Sequence, residues 1–507
     1  MAGLEARATD RLIHPRDLPA TRWVVAALFL VAGVVALAPL FAGRYLPLLD
    51  APNHLGAIKI WHDYGDPRFG FSRHYELNLE PVPYWGYFGA VHLAAYVVGV
   101  EWANKLFIAL LIVGLPAALG VYLAAHRRPV VLALAAVPLA WSNFMALGFF
   151  AFVAGVAVLL LALALLARTA DARPWPETRL VWANAAIGVL LYFLHPLPFL
   201  LWIPAVFIYM PRRVWVVLPA CAVFAYALGS NSGLPPEDAS GQGVLGHWNS
   251  FARNLHRLPD FIFDFVHPIR QRLLALLLLV TFAAAALLMD RDRVARDRRP
   301  LVTAVVLLLA YFVLPEHVYR PLNWWMMNGR LILVLALVAA ACVPVGRLRG
   351  WRQLVVVPLA AASVVYCLAI TSRFADFDRR AADFRALVVK LPDDPSVLTV
   401  VYPPLWDPAV TLDVWRQFPS YVQVEKGGYN PWAWDDGFPM RVRPEAVKPA
   451  PSGHHPERFD FAEHGAAYAW FLTRNEPAGI FEGRPELELA GERGSWRLWH
   501  RKPLTQH

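Results

Sequence analysis

The chain has 507 residues, 58% of them hydrophobic and only 17% charged, with a formal net charge of +9. Soluble domains sit near roughly 45–50% apolar and about 25% charged, so the composition excludes an ordinary soluble fold. Much of the positive charge falls in short Arg clusters beside apolar blocks, where it reads as a topology signal, and this argues against nucleic acid as the partner.

Arg7, Arg11, Arg16 and Arg22 precede the apolar run Trp23 to Phe41, which is too long for a signal-peptide core and reads as an uncleaved first helix. Further apolar blocks follow at 104–125, 129–147, 149–167, 180–194, 197–211, 214–229, 273–289, 300–315, 331–346 and 352–371. Together they predict about eleven membrane helices. Pro81 to Val100 is a further candidate, but Tyr84, Trp85, Tyr87, His92 and Tyr96 give it the aromatic mixture of a membrane interface, so it is expected to lie on the surface. The clusters Arg127-Arg128, Arg168 to Arg179, Arg212-Arg213, Arg291 to Arg299 and Arg347 to Arg352 then share a side with the N-terminus, as the positive-inside rule demands. If Pro81 to Val100 spanned instead, the first three clusters would change sides. Residues 42–103, 230–272, 316–330 and the tail from 372 are then outside. Cys221, Cys342 and Cys367 lie in apolar blocks and form no disulfide or metal-ligand pattern.

The tail reads as a small α+β unit. Phe377 to Leu391 has helical spacing, and Val397 to Tyr402, Tyr421 to Glu425, Tyr468 to Leu472, Glu486 to Ala490 and Trp496 to Arg501 read as short strands. The last two suggest a hairpin through Gly491 to Gly494, and Pro431 to Ser452 reads as a long loop. The expected fold is mostly α: a polytopic helical bundle with a small α+β C-terminal domain. Its parts are a cytoplasmic segment 1–22, a membrane domain 23–371 with 42–103 as first periplasmic loop, and a periplasmic domain 372–507.

The densest polar constellation follows the first helix: Leu48-Leu49-Asp50-Ala51-Pro52-Asn53-His54, then Trp61-His62-Asp63-Tyr64, His74-Tyr75-Glu76 and Glu80-Pro81-Val82-Pro83-Tyr84-Trp85. Asp50 before Ala51-Pro52 suits a helix N-cap. One turn apart, Asp50 and His54 also present carboxylate and imidazole on one face, fit for proton transfer or metal binding.

An acidic residue just after the first helix, an outer loop ending in a Pro-X-X-Tyr-Trp-like element and a second helix followed by Arg-Arg resemble the GT-C superfamily of lipid-linked-sugar glycosyltransferases. The stretch Trp141-Ser142-Asn143-Phe144-Met145-Ala146-Leu147-Gly148-Phe149-Phe150 is similar to a set of bacterial GT-C-like membrane proteins. The resemblance implies a bundle of that type that transfers a sugar from a polyprenyl-phosphate carrier to a glycan, lipid or protein acceptor at the periplasmic face of the inner membrane. Asp50 occupies the place of the general base or metal ligand. Many members carry paired acidic residues there, whereas Ala51 follows Asp50, so a divalent metal ion is left open as a cofactor. Glu80 falls where the lipid A aminoarabinose transferases carry a lysine; it is a candidate substrate contact to which no role carries over.

The physics suits the reaction. A carboxylate against a membrane surface is partly desolvated, which raises its pKa toward that of a useful base. A phosphate leaving group needs cations, and Arg320 and Arg330 are on the correct side. Arg330 begins a membrane helix, so its plain reading is a snorkelling anchor. His195, in His195-Pro196-Leu197-Pro198, marks a Pro-terminated hairpin and a candidate substrate contact. His247, Arg253, His256 and Arg257 either cover the site or form a solvated helix. Trp432 and Trp434 are candidate carbohydrate or core contacts of the tail. The alternative from another class is a non-catalytic scaffold or a transporter of envelope glycans. Ionisable residues midway through the spans, which a proton-coupled carrier needs, are almost lacking.

Overall fold

In hydrocarbon every backbone N–H and C=O must find its partner within the chain, and a helix is the local way to do so. The computed structural model describes residues 19–502 apart from 79, 82, 172–177, 231–245, 266, 292–296, 320–323, 409, 411 and 435–438. Its main helices are α1 (Pro19–Leu37), α2 (Ala51–His62), α3 (Trp85–Val98), α4 (Val100–Ala125), α5 (Phe150–Asp171), α6 (Thr178–Leu194), α7 (Pro196–Tyr209), α8 (Leu218–Ser230), α9 (Pro268–Leu288), α10 (Arg299–Val313), α11 (Arg330–Ala339), α12 (Val357–Val388) and α13 (Pro419–Lys426). Among the described residues five helical segments are long and apolar enough to cross a membrane: Trp23–Phe41, Val100–Ala125, Phe150–Asp171, Pro268–Leu288 and Gly350–Val388. Shorter apolar helices cover the other predicted blocks.

The block at 129–147 is not one straight helix. It runs as a 3-10 stretch Val130–Ala135, a turn of α-helix Ala136–Ala140 and another at Asn143–Ala146. Pro138 and the Trp141-Ser142 step break it, and the break is anchored. The Trp141 indole N–H donates to the Ala36 carbonyl at 2.8 Å, and the Tyr366 hydroxyl donates to the Trp141 carbonyl at 2.8 Å. The break therefore ties α1 to α12. α3 is 14 residues long, about 21 Å at 1.5 Å per residue, as long as α7 and longer than α8 and α11. It stops at Gly99, with φ +79. On the side of the Arg clusters, His126 Nδ1 meets Asp297 at 2.6 Å and Arg299 bridges Asp171 at 3.0 Å, which joins the ends of α4, α5 and α10.

α12 runs unbroken through position 372, because no Pro or Gly interrupts it there, and so carries the chain directly into the tail. The tail sheet has strands β2 (Val397–Val401), β4 (Trp470–Arg474), β5 (Leu487–Arg493) and β6 (Trp496–Arg501), in the order β5-β6-β4-β2, with β2 parallel to β4 and the other pairs antiparallel. The predicted hairpin is present, turning at Gly494. Tyr421 to Glu425, predicted as a strand, lies within α13. Pro419 starts that helix, Gly427 at φ +78 ends it, and Tyr421, Val422 and Val424 are buried. The alternation of its side chains is met by packing against α2 and the sheet rather than by strand pairing.

The first loop and the tail share a surface. Between them β1 (Tyr75–Leu77) pairs antiparallel with β3 (Met440–Val442). Beneath the strands Asn53, Ser420, Asn430, Gln423 and Tyr75 form a buried hydrogen-bonded chain. Glu101 accepts from Arg44, and Asp378 caps the backbone N–H groups of Arg44 and Tyr45, fixing the exit of α1 against α12.

Candidate functional site

The site is built around the start of α2. Leu49 and Asp50 donate their backbone N–H groups to the carbonyls of Ala146 and Leu147, at 2.9 and 3.1 Å. Asp50 occupies the N-cap position, yet its side chain makes no capping bond. The residue is buried. Its carboxyl is pushed up to about 8 by burial, against the opposing charges of Arg330 and Arg416. The carboxyl is thus buried, free of the capping role and in electrostatic range of two guanidinium groups.

One turn on, His54 Nε2 lies 3.1 Å from the Gly148 carbonyl, so the ring N–H donates there. Tyr87, Phe88, Phe150 and Trp434 surround the ring. Burial lowers its pKa to about 4, with the Gly148 carbonyl acting the other way. Neutral His54 is thus an orienting residue for the α2 face. The backbone demands glycine at position 148: φ is +83, and a Cβ there would stand 3.0 Å from the Asp50 amide nitrogen.

Gly148 to Phe152 link this half of the site to the second. Arg330 lies over the Phe149 ring at 4.4 Å and is 5.7 Å from the Phe152 ring centre. Its Nη2 donates to the Trp325 carbonyl at 3.1 Å, and its Nη1 is 2.8 Å from His195 Nε2. Its Nε is buried without a partner among the described residues. Arg330 is half-buried and lies over aromatic rings. His195 caps α7 by accepting the Leu197 N–H at Nδ1, 3.0 Å away. A neutral imidazole has one acceptor nitrogen and a protonated ring has none. The single acceptor nitrogen of neutral His195 serves either the Leu197 N–H or Arg330 Nη1, according to its tautomer. The buried Arg330 Nε, with no acceptor among the described residues, is the donor that an anion's oxygen would satisfy.

The structure thus brings Asp50, His54, His195 and Arg330 together. Glu80 is turned elsewhere, its carboxylate 3.3 Å from Arg441 of the tail. Arg320 lies outside the described residues. Arg257 pairs with Glu316, and the buried Asn254 accepts at its carbonyl from Tyr311, so that loop is fastened to α10. Sequence reasoning missed Arg416, because the tail only folds back beside Asp50 in three dimensions. Trp434, named as a sugar or core contact, stands 5.5 Å from the His54 ring, edge-on. Among the described residues no group of three or more His, Cys, Asp or Glu side chains is placed to hold a metal ion.

No protein-family model and no curated protein sequence matches the chain. Solved structures do. The chain is similar to the crystal structure of ArnT from Cupriavidus metallidurans bound to undecaprenyl phosphate, with a TM-score of 0.55 and 12% identity over 95% of this chain and 98% of that one. The apo state of the same protein gives a TM-score of 0.50 and 13% identity with the same coverage. Identity this low speaks for fold alone, and the agreement runs the whole length of both chains. The chain has the fold of that structure.

Proposed function

We propose that this chain is a multi-pass membrane glycosyltransferase that moves a sugar from a polyprenyl-phosphate carrier to an acceptor. Asp50 acts as the base, His54 orients the α2 face, and Arg330 with His195 holds the carrier phosphate. The observation that carries the reading is Arg330, bonded to His195 and with its Nε buried and without a partner among the described residues, within electrostatic range of a buried carboxyl not used for capping. The ArnT neighbour, which holds undecaprenyl phosphate, supports the carrier. In the proposed step the acceptor hydroxyl attacks the sugar's anomeric carbon, Asp50 takes the hydroxyl proton, and the carbon–oxygen bond to phosphate breaks toward Arg330. The scaffold reading is disfavoured, since a plain cap would have used the Asp50 side chain on the helix.

The proposed layout keeps about eleven spans with the N-terminus in the cytoplasm. The tail and the Asp50 site then share the periplasmic face of a bacterial inner membrane. Its support is that every predicted apolar block falls on an apolar helical segment and that first loop and tail pair strand to strand. Glu80 and Arg441 serve in this layout as a tie between loop and tail.

The test is transfer by the purified protein in nanodiscs, supplied with assorted labelled polyprenyl-phosphate sugars and envelope extracts. Asp50→Asn should lose about 10²–10⁴-fold in rate while keeping its detergent elution profile. Full activity of that variant removes Asp50 as base, and failure of wild type with every donor favours the scaffold.

A further inference from the structure

A positive φ costs free energy for any residue with a Cβ, and such residues persist only where the surrounding structure holds them. Among the described residues five that are not glycine adopt it: Tyr84, Arg127, Met326, Asp394 and Asn475. Asp and Asn enter that conformation readily in turns. Of the other three, Arg127 lies in the turn after α4, where its carbonyl accepts the Gly346 N–H. Tyr84 and Met326 both border the Arg330–His195 pair.

Tyr84, at φ +75, is the N-cap of α3, and its side chain makes no capping bond. Its ring stands edge-on to His195 at 5.3 Å, and the Phe152 ring meets the same imidazole at 5.3 Å, so two rings hold it. The segment before α3 is clamped in place. The Tyr192 hydroxyl donates to the Pro81 carbonyl at 2.9 Å, and a Cβ on Gly86 would stand 2.7 Å from Leu194 Cδ2. Met326, at φ +54 and buried, turns the strand Trp324–Trp325 into α11. Its carbonyl accepts the Arg330 N–H at 3.2 Å, and the Trp325 carbonyl, one residue back, accepts Arg330 Nη2. The turn is fastened in its own right: the Met327 N–H donates to the Glu316 carbonyl at 2.9 Å, and the Asn328 amide to Asn254 Oδ1 at 3.3 Å. The bland reading is that each residue merely closes a tight turn, yet glycine would close either one without strain.

We infer that Tyr84 and Met326 are positioning residues of the phosphate cradle: their left-handed backbones set the Tyr84 ring against His195 and the Trp325 carbonyl against Arg330, so that both groups meet the carrier phosphate already oriented. This rests on the glycosyltransferase reading and adds what fixes its geometry. The strain is held by the clamps on either segment rather than released when the lipid arrives. A guanidinium and an imidazole locked before binding lose less side-chain freedom on the phosphate, which raises affinity for the charged head without any new contact to it.

The experiment measures binding of undecaprenyl phosphate and of undecaprenol, which lacks the phosphate, to the full chain in detergent. Wild type is expected to prefer the phosphate form at least about tenfold. Met326→Ile puts a β-branched side chain where φ is positive, and Met326→Leu keeps the bulk without the branch. Tyr84→Leu removes the ring, and Tyr84→Phe keeps it. Met326→Ile and Tyr84→Leu should each cut the preference to about threefold or less, while Met326→Leu and Tyr84→Phe keep most of it. A purely structural role would lower Tm or weaken both lipids alike and leave the ratio unchanged, so the ratio decides. If one of the disruptive variants does not fold, the other decides alone. The inference is overturned if the ratio survives Met326→Ile or Tyr84→Leu, or if the conservative variants lose as much as the disruptive ones. Wild type without a phosphate preference, or a preference that survives Arg330→Ala, overturns the glycosyltransferase reading itself and this inference with it.

Discussion

Asp50 is a base only when it has lost its proton, and burial holds that proton until about pH 8 against the pull of Arg330 and Arg416. The kcat/KM of the free enzyme should therefore rise with pH through about 8. Arg330→Gln removes a charge that lowers the pKa, so the residual activity of that variant should rise only at still higher pH. A flat profile from about pH 5 to about pH 9 contradicts the assignment. The same shift has a sign for stability. The folded pKa lies above the unfolded one, so the contribution is full below about 4 and is lost as pH rises through about 8, and Asp50→Asn should escape that loss. Asp50, His54, His195 and Arg330 stood out in the sequence because each is a polar residue at the edge of an apolar run, and the site proposed here uses them. Arg416 was not legible. It lies in a polar tail where arginine is ordinary, and only folding brings it to α2. The fate of Glu80 was equally invisible, since its partner Arg441 belongs to a strand pairing of distant segments.

Among elements, the turn ending at Gly148 matters most to the site. It accepts the backbone N–H groups of Leu49 and Asp50 through Ala146 and Leu147, and its own carbonyl orients His54. Gly148→Ala forces a left-handed residue, about 1–2 kcal/mol by itself, and pushes a Cβ to 3.0 Å from the Asp50 nitrogen. Thermal unfolding in detergent should show a lowered Tm, and transfer should fall by more than the loss of folded protein accounts for. Gly33→Ala, at a position with nothing within 4 Å of a new Cβ, should change neither. Equal behaviour of the two variants removes the turn as a support of the site. The apolar helices were readable from block length, since hydrocarbon forces every span to satisfy its own backbone. The broken segment at 129–147 and the helix α13 were not. Trp141 is held by hydrogen bonds to distant helices, and the period-two pattern of Tyr421 to Glu425 fits an interior packed on two sides as well as a strand.

At the scale of the whole molecule, the bundle and the tail meet over the first loop, and the proposed chemistry depends on that meeting. α12 carries the chain out of the bundle without a hinge, β1 and β3 stitch loop to tail, and the Asn53–Gln417 bond ties the tail to α2. The overall class was legible from composition, and the shared fold with ArnT extends over 95% of the chain. The union of loop and tail was not, because strand pairing between segments so far apart leaves no local signature. The most direct test is the structure of the full chain in nanodiscs with a polyprenyl phosphate bound. The account predicts the phosphate between Arg330 and His195, with Asp50 facing the space where the sugar carbon would lie. Phosphate density elsewhere, or an Asp50 turned away from it, contradicts the account.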